Sequence, residues 1–348
     1  MRPFPGGAVQ GQDRADTVGA GWIRAAVKEL TRGMQSIVVS AQGGPEVLEY
    51  AERPDPVPGD GEVVVDVAAA GVNFIDIYHR SGAYPLDLPT SIGMEGAGTV
   101  SAVGPGVRDL AVGDTVAWAD VMGSYSGKVV VPAARAVPVP DGVPADVAAA
   151  AMLQGMTAHY LTHSTHEVRE GDQVLVHAGA GGMGQLLIRL AKLKGAKVHT
   201  TVSTDEKGEL ARQAGADEVL RYDDFTDALR GKIDVVYDGV GRTTFDGGLE
   251  VLRPRGLMAL YGAASGPVPP LDPQTLNRKG SLFLTRPTLV HHIAQREELL
   301  QRASDLFGWI SAGQLTINVS RRYPLAEARQ AHEDLAARRT TGKLLLLP

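Results

Sequence analysis

A glycine-rich loop at residues 179–184 constrains the fold of this chain more than any other stretch. It reads Gly-Ala-Gly-Gly-Met-Gly, which fits the pattern G-x-G-x-x-G, and it lies between an apolar segment, QVLVHA, and an amphipathic one, GQLLIRLAKLKG. A strand, a tight turn and a helix in this order present backbone N–H groups to a pyrophosphate. The loop therefore predicts a dinucleotide site, and a strand-to-helix turn without a ligand is the alternative. The residues expected at the dinucleotide are Gly179, Gly181, Gly182, Met183 and Gly184.

The residues on either side of this loop predict an α/β fold. Strands are predicted downstream over 173–178, 197–202, 218–220, 233–237 and 256–261, with helices over 183–194 and 205–214. This alternation is typical of a doubly wound parallel sheet. Upstream, from residue 34 to about 146, short apolar runs divided by Gly and Pro turns indicate a β-rich unit. After residue 281 we expect one long helix over about 289–312 and a last short strand over 343–347.

Residues 1–33 differ in composition from the rest of the chain, because they are rich in Gly and Arg and only residues 22–30 have helical potential. They contain no apolar core of a secretory signal, and Asp13, Asp16 and Glu29 fit poorly with an organellar transit peptide. We expect a loose extension, with Met34 as a candidate true start, or else a short docking helix. Since no targeting signal is visible, the expected location is cytoplasmic.

Composition excludes several classes of protein. The 348 residues carry 34 Lys+Arg against 40 Asp+Glu, and this formal net charge of −6 argues against bulk nucleic-acid binding. The absence of cysteine excludes disulfides, thiolate zinc sites, iron–sulfur clusters and Cys nucleophiles. No apolar run approaches the roughly 18 residues of a membrane span. The length is sufficient for two domains with a sizeable core.

The strand after the loop indicates which dinucleotide binds. Proteins that prefer NAD usually place a carboxylate about 20 residues further on, where it accepts a hydrogen bond from the ribose 2′-OH. Here Ser203 stands at that strand end, and Lys207 comes one helical turn later. A small side chain leaves room for a 2′-phosphate and a lysine can pair with it, so we expect NADPH. Ser203 also begins a Ser-Thr-Asp-Glu capping box, and capping the next helix is a second, compatible role.

Further strings carry a family resemblance. Besides the glycine loop they are AGVNFIDIY (70–78), RSGAYP (80–85), GMEGAG (93–98), VYDGVG (236–241), KGSLFLTRP (279–287) and YPL (323–325). In this order they resemble the zinc-independent quinone oxidoreductases of the medium-chain dehydrogenase/reductase superfamily, the group that includes ζ-crystallin. The resemblance runs from about residue 34 to residue 348. It implies a GroES-like β-rich catalytic domain over 34–155 and 290–348, with a Rossmann NADPH-binding domain over 156–289.

The resemblance also implies a homodimer and a reaction without zinc. Members of this type pair through the open edge of the Rossmann sheet, for which 256–261 is the candidate strand here. Zinc alcohol dehydrogenases of the superfamily use a Cys and the His of a Gly-His-Glu motif. In this chain those positions resemble Asn73 and Met94, which bind zinc poorly. His159, His163 and His166 share one helix face, but no suitable carboxylate completes a metal site beyond the adjacent Glu167.

Site residues are implied by the resemblance, position by position. It places Asn73, Tyr78 and Tyr84 at the nicotinamide and substrate pocket, where flat apolar faces with polar tips suit a quinone ring. Packing is the alternative role of both tyrosines. Thr157 corresponds to a residue on the nicotinamide side, and at the neighbouring Gln154 many relatives carry Lys. Tyr222 matches a tyrosine beside the adenosine phosphate, and Arg338 an arginine at the 2′-phosphate, with Arg339 as the alternative. Strand-end position further predicts Tyr261, Phe283, Leu284 and Thr285 at the ligand.

Three functions remain open on the sequence alone. The resemblance implies an NADPH-dependent reductase that transfers a hydride, or single electrons, to a quinone. A second interpretation keeps the fold but takes an enone, alkenal or enoyl thioester as the acceptor, which needs a proton at the α-carbon and assigns Tyr78 as its donor. A third is an NADPH-binding protein with little turnover, against which the complete set of Asn73, Tyr78 and Tyr84 argues.

Overall fold

The computed structural model describes residues 33–348, so the expectations for residues 1–32 lie outside the described residues. The strands are β1 (Gly33–Val39), β2 (Leu48–Pro54), β3 (Glu62–Val72), β4 (Thr90–Ser91), β5 (Glu95–Val103), β6 (Thr115–Ala119), β7 (Lys128–Pro132), β8 (Val137–Pro138), β9 (Gln173–Val176), β10 (Lys197–Val202), β11 (Glu218–Arg221), β12 (Ile233–Asp238), β13 (Leu252–Leu260), β14 (Phe283–Thr285), β15 (Val319–Pro324) and β16 (Lys343–Leu347). The α-helices are α1 (Phe74–Ser81), α2 (Ala145–Tyr160), α3 (Gly182–Leu193), α4 (Asp205–Gln213), α5 (Phe225–Leu229), α6 (Phe245–Val251), α7 (Gln274–Arg278), α8 (Leu289–His292), α9 (Arg296–Ser311) and α10 (Ala328–Ala336). Short 3-10 turns occupy Pro45–Val47 and Leu325–Glu327, and one π-helical turn occupies Leu161–Thr165.

The β-rich domain is organised around β3. This strand pairs antiparallel with β5, β7 and β16 in a sheet of order β15-β16-β3-β5-β6-β8, and a three-stranded sheet of order β2-β1-β4 accompanies it. β-branched side chains favour strands because they pack well on a pleated surface. Val63, Val65 and Val131 are fully buried and share one hydrophobic core with Trp118 and Tyr125. The predicted β-rich unit is confirmed, and the C-terminal strand β16 joins its sheet.

The second domain is a six-stranded parallel sheet of order β11-β10-β9-β12-β13-β14. When the six strands are numbered from β9 as strand 1 to β14 as strand 6, their order in the sheet is 3-2-1-4-5-6, which is the order of dinucleotide-binding Rossmann sheets. The strand order reverses between β9 and β12, and in such sheets the ligand crevice lies there, beyond the carboxyl ends of the strands. The glycine-rich loop comes directly after β9, so the topology places it at this crevice.

Two helices differ from the sequence-based expectation. The predicted helix over 289–312 is divided into α8 and α9, because the chain leaves helical geometry at Ile293, whose side chain is fully buried. The helix α2 was not predicted. Its residues from Ala148 to Met152 are buried in succession, and a helix that is buried on all sides shows no amphipathic period.

The edge of the Rossmann sheet is also different from the prediction. The strand expected at the edge, over 256–261, belongs to β13, which pairs with β12 on one side and β14 on the other. The outermost strand is β14, where Phe283 and Leu284 are 60% and 37% exposed. The sequence pattern did not identify β14 as the edge strand, because it has only three residues. Among the described residues, no helix is long and apolar enough to cross a membrane.

Candidate active site

A cleft of about 370 Å³ lies where the glycine-rich loop faces the β-rich domain. Thirteen of the seventeen predicted site residues line it. They are Asn73, Tyr78, Tyr84, Thr157, Gly181, Gly182, Met183, Gly184, Ser203, Lys207, Tyr222, Tyr261 and Arg338. The structure thus collects residues from both domains, and from sequence positions more than 260 apart, into one cavity.

Four predicted contact residues lie outside this cleft. Gly179 packs against β10, where a Cβ atom would come within 2.1 Å of Thr200 Oγ1, so close strand packing explains this glycine. Phe283, Leu284 and Thr285 form the edge strand β14, one strand beyond β13. The cleft wall begins immediately after that strand, with Arg286, and continues to Val290. The contact of this strand with a dinucleotide therefore stays a prediction.

The glycine-rich loop forms a close-fitting backbone cradle. A Cβ atom on Gly184 would lie 2.3 Å from the Ala178 carbonyl oxygen, and one on Gly182 would lie 2.2 Å from Gln154 Oε1. The helix α3 begins at Gly182, and its first amides lack intrahelical partners. The C-terminal segment contacts this loop, because the Gly342 N–H donates a hydrogen bond to the Ala180 carbonyl at 3.1 Å. The loop therefore lines the cleft with backbone at the N-terminus of α3, where the first amides lack intrahelical partners.

Lys207 stands at the end of the cleft beyond β10. Its Nζ donates to Ser203 Oγ at 3.4 Å and to the Arg338 carbonyl at 3.0 Å. The helix cap expected at Ser203 is instead Thr204, whose side chain accepts from the Lys207 N–H at 3.2 Å. The helix begins one residue later than the capping-box pattern indicated, and this leaves the Ser203 hydroxyl facing the cleft beside the ammonium group.

The two neighbouring arginines take different positions. Arg338 lines the cleft, adopts a positive φ of 56°, and donates from Nη2 to the Ala264 carbonyl at 3.1 Å. Arg339 turns away and forms an ion pair with Asp334 at 2.7 Å. Tyr222 completes this end of the cleft, and burial raises the pKa of its phenol although the Arg338 charge opposes the shift.

Two tyrosines form the opposite end of the cleft. Tyr78 and Tyr84 lie with ring centroids 5.2 Å apart and planes inclined by 56°. Tyr78 Oη accepts from the Ala263 N–H at 3.3 Å, which ties α1 of the β-rich domain to the loop after β13. Burial raises the pKa of Tyr78, so the phenol stays protonated near neutral pH. Arg286 Nη2 donates to Tyr84 Oη at 3.4 Å.

Asn73 is tied into a buried polar network. Its Nδ2 donates to Glu95 Oε1 at 2.8 Å, and its Oδ1 accepts from Lys343 Nζ at 2.7 Å and from Gln154 Nε2 at 3.1 Å. Lys343 and Glu95 form a direct ion pair in which the side chains are 2% and 0% exposed. The Asn73 amide, which the resemblance places at the nicotinamide and substrate pocket, is thus already hydrogen-bonded at both ends.

Sequence reasoning missed Lys343, Glu95 and the role of Gln154. Lys343 opens the last strand, where Leu344 pairs with Val72, so the register places the lysine beside Asn73. Its ammonium and the Gln154 amide donate to the same oxygen atom of Asn73. The resemblance implies that many relatives carry a lysine at the position of Gln154. In this chain Lys343, from the last strand, supplies a positive charge beside that position. A lysine that opens an otherwise apolar strand, LLLL, was the available signal.

Thr157 and the three histidines have other partners, and only His159 lies within α2, because His163 belongs to the π-helical turn and His166 follows it. The Thr157 hydroxyl lines the cleft but donates to the Leu153 carbonyl of its own helix at 2.7 Å. His159 contacts Asp305 at 2.9 Å, and its ring stacks on His163 with centroids 4.3 Å apart. His166 instead contacts Asp172 at 3.0 Å. Within residues 33–348, no group of three or more His, Asp or Glu side chains is arranged to hold a metal ion.

A dinucleotide cradle that opens onto an aromatic pocket of a second, β-rich domain defines a class of proteins, the two-domain dehydrogenases and reductases. The family models agree with this class. The model described as "Alcohol dehydrogenase GroES-like domain" matches residues 59–141, and the one described as "Zinc-binding dehydrogenase" matches residues 214–346.

Comparison with individual proteins narrows the class. A quinone oxidoreductase of Pseudomonas aeruginosa is 46% identical over 90% of this chain and 99% of its own. A 2-haloacrylate reductase of a Burkholderia species is 42% identical over 90% of this chain and 99% of its own. The structure of Escherichia coli quinone oxidoreductase complexed with NADPH superimposes with a TM-score of 0.88 at 41% identity, covering 90% of this chain and 100% of that one. The chain belongs to the quinone oxidoreductase family, and the predicted resemblance is confirmed.

Proposed function

We propose that this protein is an NADPH-dependent reductase of quinones. The observation that carries the proposal is one continuous cleft, with a glycine cradle and the Lys207–Ser203 pair at one end and the Tyr78–Tyr84 pair at the other. Its relatives from Pseudomonas aeruginosa and Escherichia coli are quinone oxidoreductases, and the latter was crystallised with NADPH. The test is NADPH oxidation measured with a quinone, with an enone and with no acceptor. Oxidation that does not depend on the quinone contradicts the proposal.

The chain's own residues fit NADPH. The cradle leaves no space for a Cβ atom at Gly182 or Gly184, which suits a backbone that approaches a pyrophosphate closely. At the far end, the Lys207 ammonium contacts the hydroxyl of the small Ser203 and the Arg338 side chain lines the same cleft, so that a 2′-phosphate there has room and two candidate cationic partners. A carboxylate that would accept from a free 2′-OH is missing at this strand end.

When bound, NADPH supplies a hydride from its nicotinamide ring. The protein's contribution is to hold the acceptor in the correct position. The Tyr78 and Tyr84 rings, whose planes are inclined by 56°, form an apolar wall for a quinone, while their hydroxyls remain available to orient a carbonyl oxygen. A quinone that gains a hydride becomes a stabilised hydroquinone anion, which takes its proton from solvent. No strong protein acid is required, and the raised pKa of Tyr78 agrees with an orienting role.

The second candidate is a reductase of activated alkenes, because a relative of similar identity is a 2-haloacrylate reductase. Such a reaction needs proton delivery to the α-carbon, and Tyr78 is the phenol in position for it. Tyr78→Phe separates the two. With a quinone we expect a loss on the order of tenfold or less in kcat, whereas losing a general acid costs about 10²–10⁴-fold. A loss on the order of a thousandfold would assign the protein to alkene reduction.

The proposed reaction uses no metal, because the family resemblance places Asn73 and Met94 at the positions of the zinc ligands in the alcohol dehydrogenases. Asn73 is hydrogen-bonded to Glu95 and Lys343, and a thioether such as that of Met94 is a poor zinc ligand. We expect prolonged EDTA treatment to leave the turnover rate unchanged. Loss of activity that added zinc restores would contradict this part of the proposal.

We further propose that the protein is a cytoplasmic homodimer. The edge strand β14 exposes Phe283 and Leu284, and an unpaired apolar edge favours pairing with a second copy. The cytoplasm fits an enzyme that consumes NADPH, since this nucleotide is kept reduced there. Light scattering should give twice the monomer mass of 36.7 kDa, and Leu284→Lys should shift the protein towards the monomer. A wild-type protein at 36.7 kDa would refute the dimer.

A further inference from the structure

Arg286 stands at the acceptor end of the cleft. It comes directly after β14 and lines the cavity, with Nη2 3.4 Å from Tyr84 Oη and Nη1 3.3 Å from the Pro287 carbonyl oxygen. Burial raises the pKa of both Tyr78 and Tyr160, and in each case the Arg286 charge acts in the opposite direction. The guanidinium therefore lies close enough to both phenols to affect them, at the place where an acceptor would enter.

The charge of Arg286 is not balanced by a carboxylate. Within residues 33–348 its hydrogen bonds run to a phenol and a backbone carbonyl, and no Asp or Glu lies within ion-pair distance. By contrast, other arginines such as Arg322 and Arg339 pair with Asp146 and Asp334. Arg286 is therefore able to accept an anionic partner without breaking an existing ion pair.

The cleft as a whole carries a surplus of positive charge. Among the described lining residues the cations are Lys207, Arg286 and Arg338, and the acid is Asp120. Burial raises the pKa of Asp120, and the charge that opposes this shift is that of Arg135 rather than Arg286. Lys207 and Arg338 stand at the opposite end, where the cofactor phosphate is expected. Among the cationic lining residues, Arg286 is therefore the one that lies at the acceptor end of the cleft.

We propose that Arg286 binds an acidic group of the acceptor, so that the protein prefers quinones carrying a carboxylate or sulfonate over neutral quinones. A guanidinium presents a planar fork of donors that matches such an oxyanion. The acidic group takes no part in the reaction: the ring receives the hydride against the Tyr78–Tyr84 wall while the oxyanion is held at the cleft mouth. This proposal rests on the proposed quinone reduction and specifies its substrate class.

The first test compares two acceptors, 1,4-naphthoquinone and its 2-sulfonate, with wild-type protein and Arg286→Gln. The readout is the ratio of kcat/KM for the sulfonate over the neutral quinone, and comparing this ratio between the two proteins cancels the difference in intrinsic reactivity of the quinones. We expect the substitution to lower this ratio about five- to tenfold, since Arg286 is partly screened by solvent. Arg286→Lys should recover part of the ratio, because it keeps the charge but loses the fork.

The second test does not depend on turnover. Calorimetry measures the binding of naphthalene-2-sulfonate to the NADP⁺-loaded protein, and Arg286→Gln should weaken it by a similar factor. Arg212→Gln is the matched control, because Arg212 is exposed on α4, pairs with Glu209 and lies outside the cleft. Added salt should weaken sulfonate binding to the wild type more than to Arg286→Gln.

Each outcome decides the proposal. A ratio that Arg286→Gln leaves unchanged would overturn the proposal. This includes an equal loss of kcat/KM with both quinones, because Arg286 would then shape the pocket without selecting for charge. If the wild type reduced neither quinone, the proposed function would fail, and the calorimetric arm would still test Arg286. Sulfonate binding that Arg286→Gln leaves intact would overturn the anion site even in a working quinone reductase.

Discussion

Removing the Lys343 ammonium should destabilise the protein strongly. In Lys343→Met the Glu95 carboxylate, which is 0% exposed, loses its ionic partner and keeps the Asn73 amide and the Leu153 N–H as hydrogen-bond donors. Breaking a buried ion pair by removing one partner costs about 3–5 kcal/mol, because an uncompensated charge stays in a medium of low polarity. We expect a loss of this size in the free energy of unfolding.

A double-mutant cycle measured by urea unfolding tests the cause of this loss. Glu95→Gln removes the opposite charge, and the double variant Glu95→Gln/Lys343→Met should recover most of the stability, since neutral replacements of buried pairs are often tolerated. Lys192→Met is the control, because its pair with Asp217 is about one-third exposed and should contribute under about 1 kcal/mol. Fluorescence and circular dichroism must give coincident transitions for these values to be used.

The result that would refute the reasoning is a Lys343→Met loss no larger than that of Lys192→Met. A double variant that is as unstable as the single one would also refute it. In that case packing of the lysine stem, rather than the stranded carboxylate, would explain the loss.

Two further predictions concern the cofactor and pH. Lys207→Ala should weaken NADPH binding roughly tenfold and leave NADH binding nearly unchanged, because a charge-assisted contact to phosphate contributes about 1.5–3 kcal/mol; equal losses measured by calorimetry would reject the assignment. Burial raises the pKa of Asp76 to about 7, so the folded state holds a proton that the unfolded state releases above the ordinary aspartate pKa of 3.8. Stability from this group is therefore fully present below pH 3.8 and is lost as pH rises towards 7. Asp76→Asn should accordingly be more favourable, relative to wild type, at about pH 8 than at about pH 5; an equal effect at both pH values would contradict this.

Much of the Rossmann domain could be predicted because its signals are local. The glycine loop, the apolar strands β9 to β12 and the amphipathic helix α3 each show their pattern within about a dozen residues. The exceptions have physical reasons. The succession of small buried side chains in α2 hides its helical period, and the short β14 offers too few residues for an alternation.

The site residues could be predicted where the family resemblance supplied their positions. They could not be predicted where a contact depends on two segments that are distant in sequence. Tyr78, Tyr84, Lys207 and Arg338 do line one cleft. Lys343 reaches Asn73 only through the register of β16 on β3, across 270 residues of sequence, and no local pattern encodes that contact. The same holds for Arg286, whose meeting with Tyr84 spans 202 residues and depends on the approach of the two domains.

The initial rate of NADPH oxidation in the presence of a neutral quinone, with EDTA-treated protein, tests the proposed function most directly. We expect a rate that rises with quinone concentration to saturation, that needs the protein, and that is much lower with NADH at the same concentration. A rate that equals the blank with every quinone, while an enone or 2-haloacrylate accelerates oxidation, would contradict quinone reduction and assign the cleft to activated alkenes.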